Sequence, residues 1–372
     1  MLRSGEADLV VVGAGILGLS VAWHAVQAGL RVVVLERDAV ASGASVRNFG
    51  HICTSAQAGR ALEFALDARE EWLRIGREAG IVVRASGTVV VARTAAELAV
   101  LEEFAATRDG LAEVLDAPAT AARSGFSAPG TVGGAFLPLD LRIDAPSVIP
   151  ALTAHLIARG VDVRFGENVL EVTSGSVRTT RGKYAGERVV VAVGHDVDRL
   201  FPQIAEREAV LRCRLRMLEV AAPGGLTVTP GIFTGLSLLR YEGFSSTAAA
   251  TAVRDEIAAS APELLDHTVN LMFTQRPDGR LVIGDSHHYE NTLTPFEDDR
   301  VDELLLSEFR RLLDVDEFAV LRRWRGVYAS SVRGPYLIER PEPGVTVASI
   351  TSGIGMTTAL GLARSLLASD LP

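Results

Sequence analysis

Residues 8–37 read DLVVVGAGILGLSVAWHAVQAGLRVVVLER, and this stretch decides the fold. Val10, Val11 and Val12 form a run apolar on both faces, the pattern of a buried parallel strand. Gly13-x-Gly15-x-x-Gly18 follows at once, and an amphipathic helix then runs to Ala28. Gly29 ends that helix, and Arg31 to Leu35 make a second strand closing on Glu36. The glycines have separate tasks: a tight turn, close backbone approach to a pyrophosphate, and close packing of helix on strand. Free amides and the positive dipole end of the helix favour phosphate, through Ala14, Ile16 and Leu17 as well as the glycines. Glu36 stands where a carboxylate accepts hydrogen bonds from an adenosine ribose, with Arg37 beside it. A glycine-rich turn without a ligand would need none of this ordered context, so a bound dinucleotide is expected.

The chain has 372 residues, enough for two domains or one large one. It carries 37 Lys and Arg against 46 Asp and Glu, a net charge of −9, which argues against nucleic acid or an anionic membrane as partner. Lys183 is the sole lysine. Cys53 and Cys213 are too few for a disulfide framework, and no zinc-ligand spacing occurs, so no metal is expected. The start, MLRSGEADLV, lacks the apolar core of a secretion signal, and the apolar run of the opening motif is broken by turn glycines, His24, Gln27 and Arg31. A soluble, cytoplasmic protein is expected; the sequence leaves its oligomeric state open.

After Glu36 comes a small-residue segment in which Ser42, Gly43, Ala44 and Ser45 offer hydroxyls and amides to a pyrophosphate. Strand–GxGxxG–helix–strand–Glu-Arg followed by this GASxRNxG-like segment resembles the FAD-dependent D-amino-acid oxidase superfamily, which includes glycine oxidase and sarcosine oxidase. The resemblance implies FAD as cofactor, with Arg47, Asn48, Phe49, Gly50 and His51 near the flavin ring. It also implies an α/β Rossmann-like FAD-binding domain, discontinuous in sequence, and an α+β substrate domain with a mostly antiparallel sheet. Residues 1–80, 140–205 and 322–372 are assigned to the first, and 81–139 and 206–321 to the second.

Further along, Ala58 to Gly80 has apolar residues at helical spacing, and Thr94 with Glu97 makes a capping box. Short β segments are expected at Val82–Arg84 and Thr88–Ala92, and Ala117 to Phe136 reads as a loop-rich connection. A helix follows Asp144 and Pro146, then a strand to Phe165, and a hairpin whose last strand, Val189 to Val193, ends in Gly194. The family's matching block returns beneath the FAD, which brings Val169, Ala192 and Gly194 to it. Leu211 to Ala221 alternates strictly, with Arg212, Arg214 and Arg216 on one face and Cys213, Leu215 and Met217 on the other. The arginine row is read as a solvated outer face and the other row as cavity lining. Strands are expected at Ile232–Leu239, Leu271–Gln275 and Arg280–Gly284, with a helix from Ala249 to Ala259 between the first two and another over Val301–Leu313. Ser352-Gly353-Ile354-Gly355 opens a last apolar helix. In the family the matching turn aims backbone amides at the flavin's pyrimidine side, implying contacts from Gly353, Ile354, Gly355, Met356 and Thr357, with Gly326 nearby.

The resemblance implies amine oxidation: a C–H beside a neutral amine yields a hydride, and the imine is hydrolysed to a carbonyl compound plus amine or ammonia, with dioxygen as acceptor. The partner is a small-molecule amine. Arg47, His51, Arg240 and Arg325 are the expected charged groups at the reaction site; Arg47, Arg240, Tyr241, Gln275, His288 and Tyr328 are the expected substrate contacts, with His287 and Arg333 as further polar candidates. RNFG, QxxDGxLxIGDSHHY and the closing GxGMT turn resemble an aminophosphonate-associated branch, implying 2-aminoethylphosphonate or its N-methyl form as substrate. Glycine, sarcosine or D-amino-acid oxidation is the alternative, and a NAD-dependent dehydrogenase or a non-catalytic flavin protein stands behind both.

Overall fold

The computed structural model describes residues 7–370. Eight strands make one sheet, in the order Tyr336–Glu342, Val345–Ile350, Lys183–Val191, Ala7–Val12, Val32–Glu36, Asp162–Phe165, with the Val169–Thr173 and Ser176–Thr179 hairpin joined to Lys183–Val191. The central pairings are parallel, as expected of valine-rich strands without polar alternation. Helices Ile16–Gln27, Gly59–Ala79 and Gly355–Asp370 cover one face. The first is less amphipathic than its sequence suggests: Ile16 to Trp23 are all buried, because the sheet and two helices enclose it. The Trp72 indole donates to the Met356 carbonyl at 2.8 Å and pins the last helix to the second.

A nine-stranded, mostly antiparallel sheet forms the other half. Its longest pairing joins Leu211–Val220 to Val320–Ser330. The latter strand, expected in the FAD-binding block from residue 322, thus lies in this second sheet. Other local readings are also corrected. Ala117 to Phe136 contains a helix, Ala117–Ser124, and most of a strand, Gly133–Leu137. Asp116 caps that helix through the Ala119 amide, a start signal that the prolines and glycines around it obscure. Ile232 to Leu239 is a strand only over Gly231–Phe233 and then a 3-10 segment, Gly235–Leu239. Of Val82–Arg84, only Arg84 makes a β-bridge, to Arg142. Thr94 does accept from the Glu97 amide, whereas the Glu97 carboxylate reaches the amide of Arg93. Among the described residues no helix is long and apolar enough to cross a membrane.

Candidate functional site

A cavity of about 560 Å³ runs between the two sheets, within the size range of small-molecule and cofactor sites. One end is walled by backbone. Gly13 has φ +104°, and a Cβ there would stand 2.6 Å from the Ala192 carbonyl oxygen, so glycine alone fits. Gly15, Ile16, Leu17, Glu36, Arg37, Ser42, Gly43, Ala44, Ser45, Val169, Ala192 and Gly194 line this end. The Glu36 carboxylate accepts from the amides of Ala14 and Asp38 at 2.9 and 3.0 Å and so is held facing the cavity. Ser45 Oγ accepts from the Ile16 amide at 2.9 Å, where the helix has no cap of its own. Arg37 binds Asp196 at 2.6 Å. Asp196 also meets Arg199 and Arg212. Burial pulls its carboxyl up, but His195 and the surrounding arginines outweigh that and hold it at about 2. Arg37 and Arg212 come from different sheets, so this acid ties them together.

Three expected cofactor contacts do not line the cavity. Ala14 is turned inward, its amide taken by Glu36. Gly18 lies under the helix, where a Cβ would meet the Gly13 carbonyl oxygen at 1.9 Å; its role is packing. Gly50 makes the same close approach to the Ile143 carbonyl, with φ +68°.

The middle is faced by Arg47, Asn48, Phe49, His51, Gly326 and the Gly353 to Thr357 turn. His51 is buried, its Nε2 2.6 Å from Thr88 Oγ1 and 3.4 Å from Asp140 Oδ2. Thr357 Oγ1 accepts from the Cys53 amide at 3.1 Å and ties the late turn to the early segment. His51, Cys53 and Asp140 bring three potential metal ligands together. Thr88 Oγ1 engages the His51 Nε2, and burial pushes the Cys53 thiol well above its ordinary value.

The inner end is built from side chains. Arg240 follows the 3-10 segment and is turned into the cavity. Its Nη2 donates to the Tyr328 hydroxyl at 3.1 Å and its Nε to His287 Nε2 at 3.2 Å. A Cβ on Gly353 would stand 3.0 Å from Arg240 Nη2 and 3.3 Å from the Tyr328 ring, so the late glycine turn lies directly against this cluster. Tyr241 stacks on Phe233 with centroids 4.9 Å apart. Asn270, Met272, Asp285 and Leu215 complete the wall. Burial, then the Arg240 charge, push His287 down to about 3, so it is neutral; its Nδ1–H donates to the Thr268 carbonyl at 3.0 Å, and Nε2 is free to accept from Arg240.

Here too the structure corrects what the sequence leads one to expect. His288 is exposed and bound to Glu290 at 2.6 Å; its neighbour His287 faces the cavity. Adjacent strand residues do face opposite ways, but nothing in the segment itself marks which one turns inward. Gln275 accepts from the Val228 amide and donates to the Leu226 and Gly279 carbonyls, closing turns away from the cavity. Arg325 points out: on its strand Trp324, Gly326 and Tyr328 pair with Met217, Leu215 and Cys213, whereas Arg325 pairs with Arg216 on the opposite face and reaches the Thr294 carbonyl. Arg333 is exposed and does not line the cavity. The arginine row is not solvated either: Arg212 pairs with Asp196 and Asp198, Arg214 with Glu297, and Arg216 with Asp302. Leu215 lines the cavity as read, while Cys213 and Met217 pack beside it against Phe49, Trp324 and Tyr328. Sequence reasoning misses Asp285, Asn270 and Cys53. Only Asp285 carries a signal, its place in the GDSHHY segment.

A family model described as DAO, FAD dependent oxidoreductase, matches residues 8–369. The chain belongs to the DAO family of FAD-dependent oxidoreductases. It is an enzyme that uses FAD to oxidise amines or amino acids. This DAO protein is 25% identical to an opine oxidase subunit of Agrobacterium tumefaciens (strain Ach5), over 98% of this chain and 95% of that one. It is 29% identical to a D-amino acid dehydrogenase of Phenylobacterium zucineum (strain HLK1), over 74% and 73% of the two chains. Its fold matches the crystal structure of glycine oxidase from Geobacillus kaustophilus with a TM-score of 0.78 at 20% identity, covering 98% and 95% of the chains. The residues present fit FAD: a cradle that any Cβ would fill at Gly13, a helix start whose N-cap residue is a glycine with no side-chain cap, and an acid at the end of the second strand.

Proposed function

We propose that this enzyme oxidises a small amino acid or N-substituted amino acid whose carboxylate is anchored by Arg240. FAD would be held by Glu36 at its ribose, by Gly13, Gly15 and the Ser42 to Ser45 segment at its pyrophosphate, and by the Arg47 to His51 segment and the Gly353 to Thr357 turn at its flavin. Bound there, it would supply the hydride acceptor for oxidation of the carbon beside the amine. The carrying observation is the contact of the half-buried Arg240 guanidinium with the Gly353 turn, which joins an anion anchor to the ring cradle. Arg240 fixes the carboxylate, Tyr328 and neutral His287 fix Arg240, and the aromatic wall of Tyr241 and Phe233 helps keep water out. Imine hydrolysis then yields a carbonyl compound and ammonia or an amine.

A single fork-shaped cation suits a carboxylate, whereas a phosphonate dianion calls for several cationic donors. Arg47, the other arginine expected at the substrate, lies at the cavity edge with its Nη1 against the Arg325 carbonyl. That favours the amino-acid alternative over the aminophosphonate. Dioxygen is the proposed acceptor, with the His51 imidazole lining the part of the cavity where the flavin would lie; Lys183 is exposed at the start of its strand and does not line the cavity.

The test is anaerobic mixing of the yellow holoenzyme with glycine, sarcosine, D-alanine, iminodiacetate, 2-aminoethylphosphonate and its N-methyl form. Bleaching of the flavin by carboxylates is expected, followed by peroxide release on admitting air. Bleaching by the phosphonates alone overturns the carboxylate assignment, and a reduced enzyme stable in air overturns the oxidase assignment.

A further inference from the structure

The inner end of the cavity holds a carboxyl group that anchoring of an anion leaves unused. Asp285 is buried and lines the same cavity as Arg240. Its backbone is fixed by two 2.7 Å hydrogen bonds with Asn270, and Oδ1 accepts from Asn270 Nδ2 at 3.2 Å. Among the described residues no side chain donates to Oδ2. The His287 Nε2 lies 3.8 Å away, but that nitrogen carries no proton, because Nδ1–H is the donor to Thr268 and Nε2 accepts from Arg240.

Five titratable groups face Asp285: Arg240, Tyr241, His287, Tyr289 and Cys213. Burial keeps Tyr241 and the thiol protonated and His287 neutral, and the more exposed Tyr289 hydroxyl also lies above its ordinary value. Arg240 is therefore the charge that Asp285 meets at neutral pH, and the guanidinium directs its hydrogen bonds to Tyr328 and His287 rather than to the acid. A cation and an acid share one enclosed space without pairing. A zwitterion satisfies both.

We propose that Asp285 is the amine-binding group, which recognises the ammonium of a zwitterionic amino acid while Arg240 holds the carboxylate. The inference rests on the carboxylate reading above. Asp285 takes the ammonium proton: an N–H bond breaks, its electron pair stays on nitrogen, and an O–H bond forms on Oδ2. The neutral amine then releases the hydride of the adjacent C–H, its lone pair forming the C=N bond, and the proton leaves Asp285 with the product. Burial raises the Asp285 carboxyl to about 7, with Arg240 and the Asn270 hydrogen bond opposing, which suits a group that binds and releases a proton near neutrality.

The test uses acetate and propionate, which carry the carboxylate without the amine, and reads binding to the holoenzyme from the shift of the flavin absorbance. Because the empty carboxylate repels them, wild type is expected to bind acetate about tenfold more tightly at pH 6 than at pH 8. Asp285→Asn is expected to bind acetate equally well at both pH values, at the tighter level, while glycine and sarcosine lose affinity and the rise in bleaching rate through pH 7 disappears. Asp285→Glu, which keeps the charge, is expected to keep the pH dependence and serves should the Asn variant fold poorly. Acetate binding in Asp285→Asn that matches wild type at both pH values overturns the amine role alone, provided Arg240→Met has lost acetate. Acetate binding that survives in Arg240→Met, or no carboxylate binding in wild type, overturns the carboxylate reading and this inference with it.

Discussion

At the end nearest Gly13 the cavity wall is set by closely approaching backbone, from the strand–turn–helix, the Ser42 to Ser45 segment and the Ala192 carbonyl opposite, with Glu36 at its edge. At the end nearest Arg240 the wall is side chains, drawn from a 3-10 segment, three strands and the approach to a fourth. The first end works through close approach, and its tolerance for change is set by space. The second works through charge, and its tolerance is set by which partners each ionisable group keeps. On the proposed reading, the same molecule meets its cofactor with geometry and its substrate with electrostatics.

Substitutions at each end should separate these modes. Gly13→Ala carries the largest expected effect, because the new methyl has neither the room nor the backbone conformation; loss of bound flavin is expected, read as the flavin-to-protein ratio after gel filtration. Arg240→Met should leave that ratio unchanged and lower kcat/KM for carboxylate substrates by about 10²–10³-fold, in the range for removing a hydrogen-bonded charged anchor. Retention of flavin together with activity in the glycine variant, or loss of flavin in the arginine variant, breaks the comparison. His287→Phe removes the acceptor that orients Arg240 and should raise KM by about tenfold with a smaller change in kcat.

Asp196, beside Arg37 at the first end, ties the two sheets together. Its carboxyl lies below the ordinary value, so the stabilisation is present above pH ~4 and is lost as pH falls towards 2. Asp196→Asn should lower the melting temperature at pH 7 and leave it nearly equal to wild type at pH 2, the two curves merging as the acid protonates. His288→Ala should change steady-state constants by less than about twofold, as expected of an exposed side chain paired with Glu290. A large effect there would mean that the wrong histidine has been placed inside.

The same contrast governs what is legible in the sequence. Gly13, Gly15, Gly18 and Glu36 are readable because their spacing alone fixes a turn, a helix start and a ligand-facing acid. The Gly353 turn is readable for the same reason. Arg325 is not, because strand parity puts Gly326 inward and Arg325 outward, and parity depends on a register that no single strand contains. Arg240 stands out as a candidate but on the wrong element: the apolar run before it has strand composition, while its carbonyls turn back into a 3-10 segment. Gln275 looks available at a strand end until the Leu226 and Val228 loop arrives to occupy its amide. Long-range partners decide each of these cases.

The late glycine turn and its helix have a bearing on biosynthesis. Trp72 is bonded to Met356, and the Cys53 amide to Thr357, so a segment made early waits for one made 284 to 304 residues later. Until Gly353 has cleared the ribosome, the emerging polypeptide presents the opening glycine turn without the late turn that lines the same cavity, and the wall around Arg240 lacks Tyr328 for almost as long. On the proposed reading, cofactor capture should wait for that turn: stalled nascent chains that end before Gly353 are expected to retain no flavin, and an intermediate holding flavin at that length would show the opening motif to be sufficient by itself.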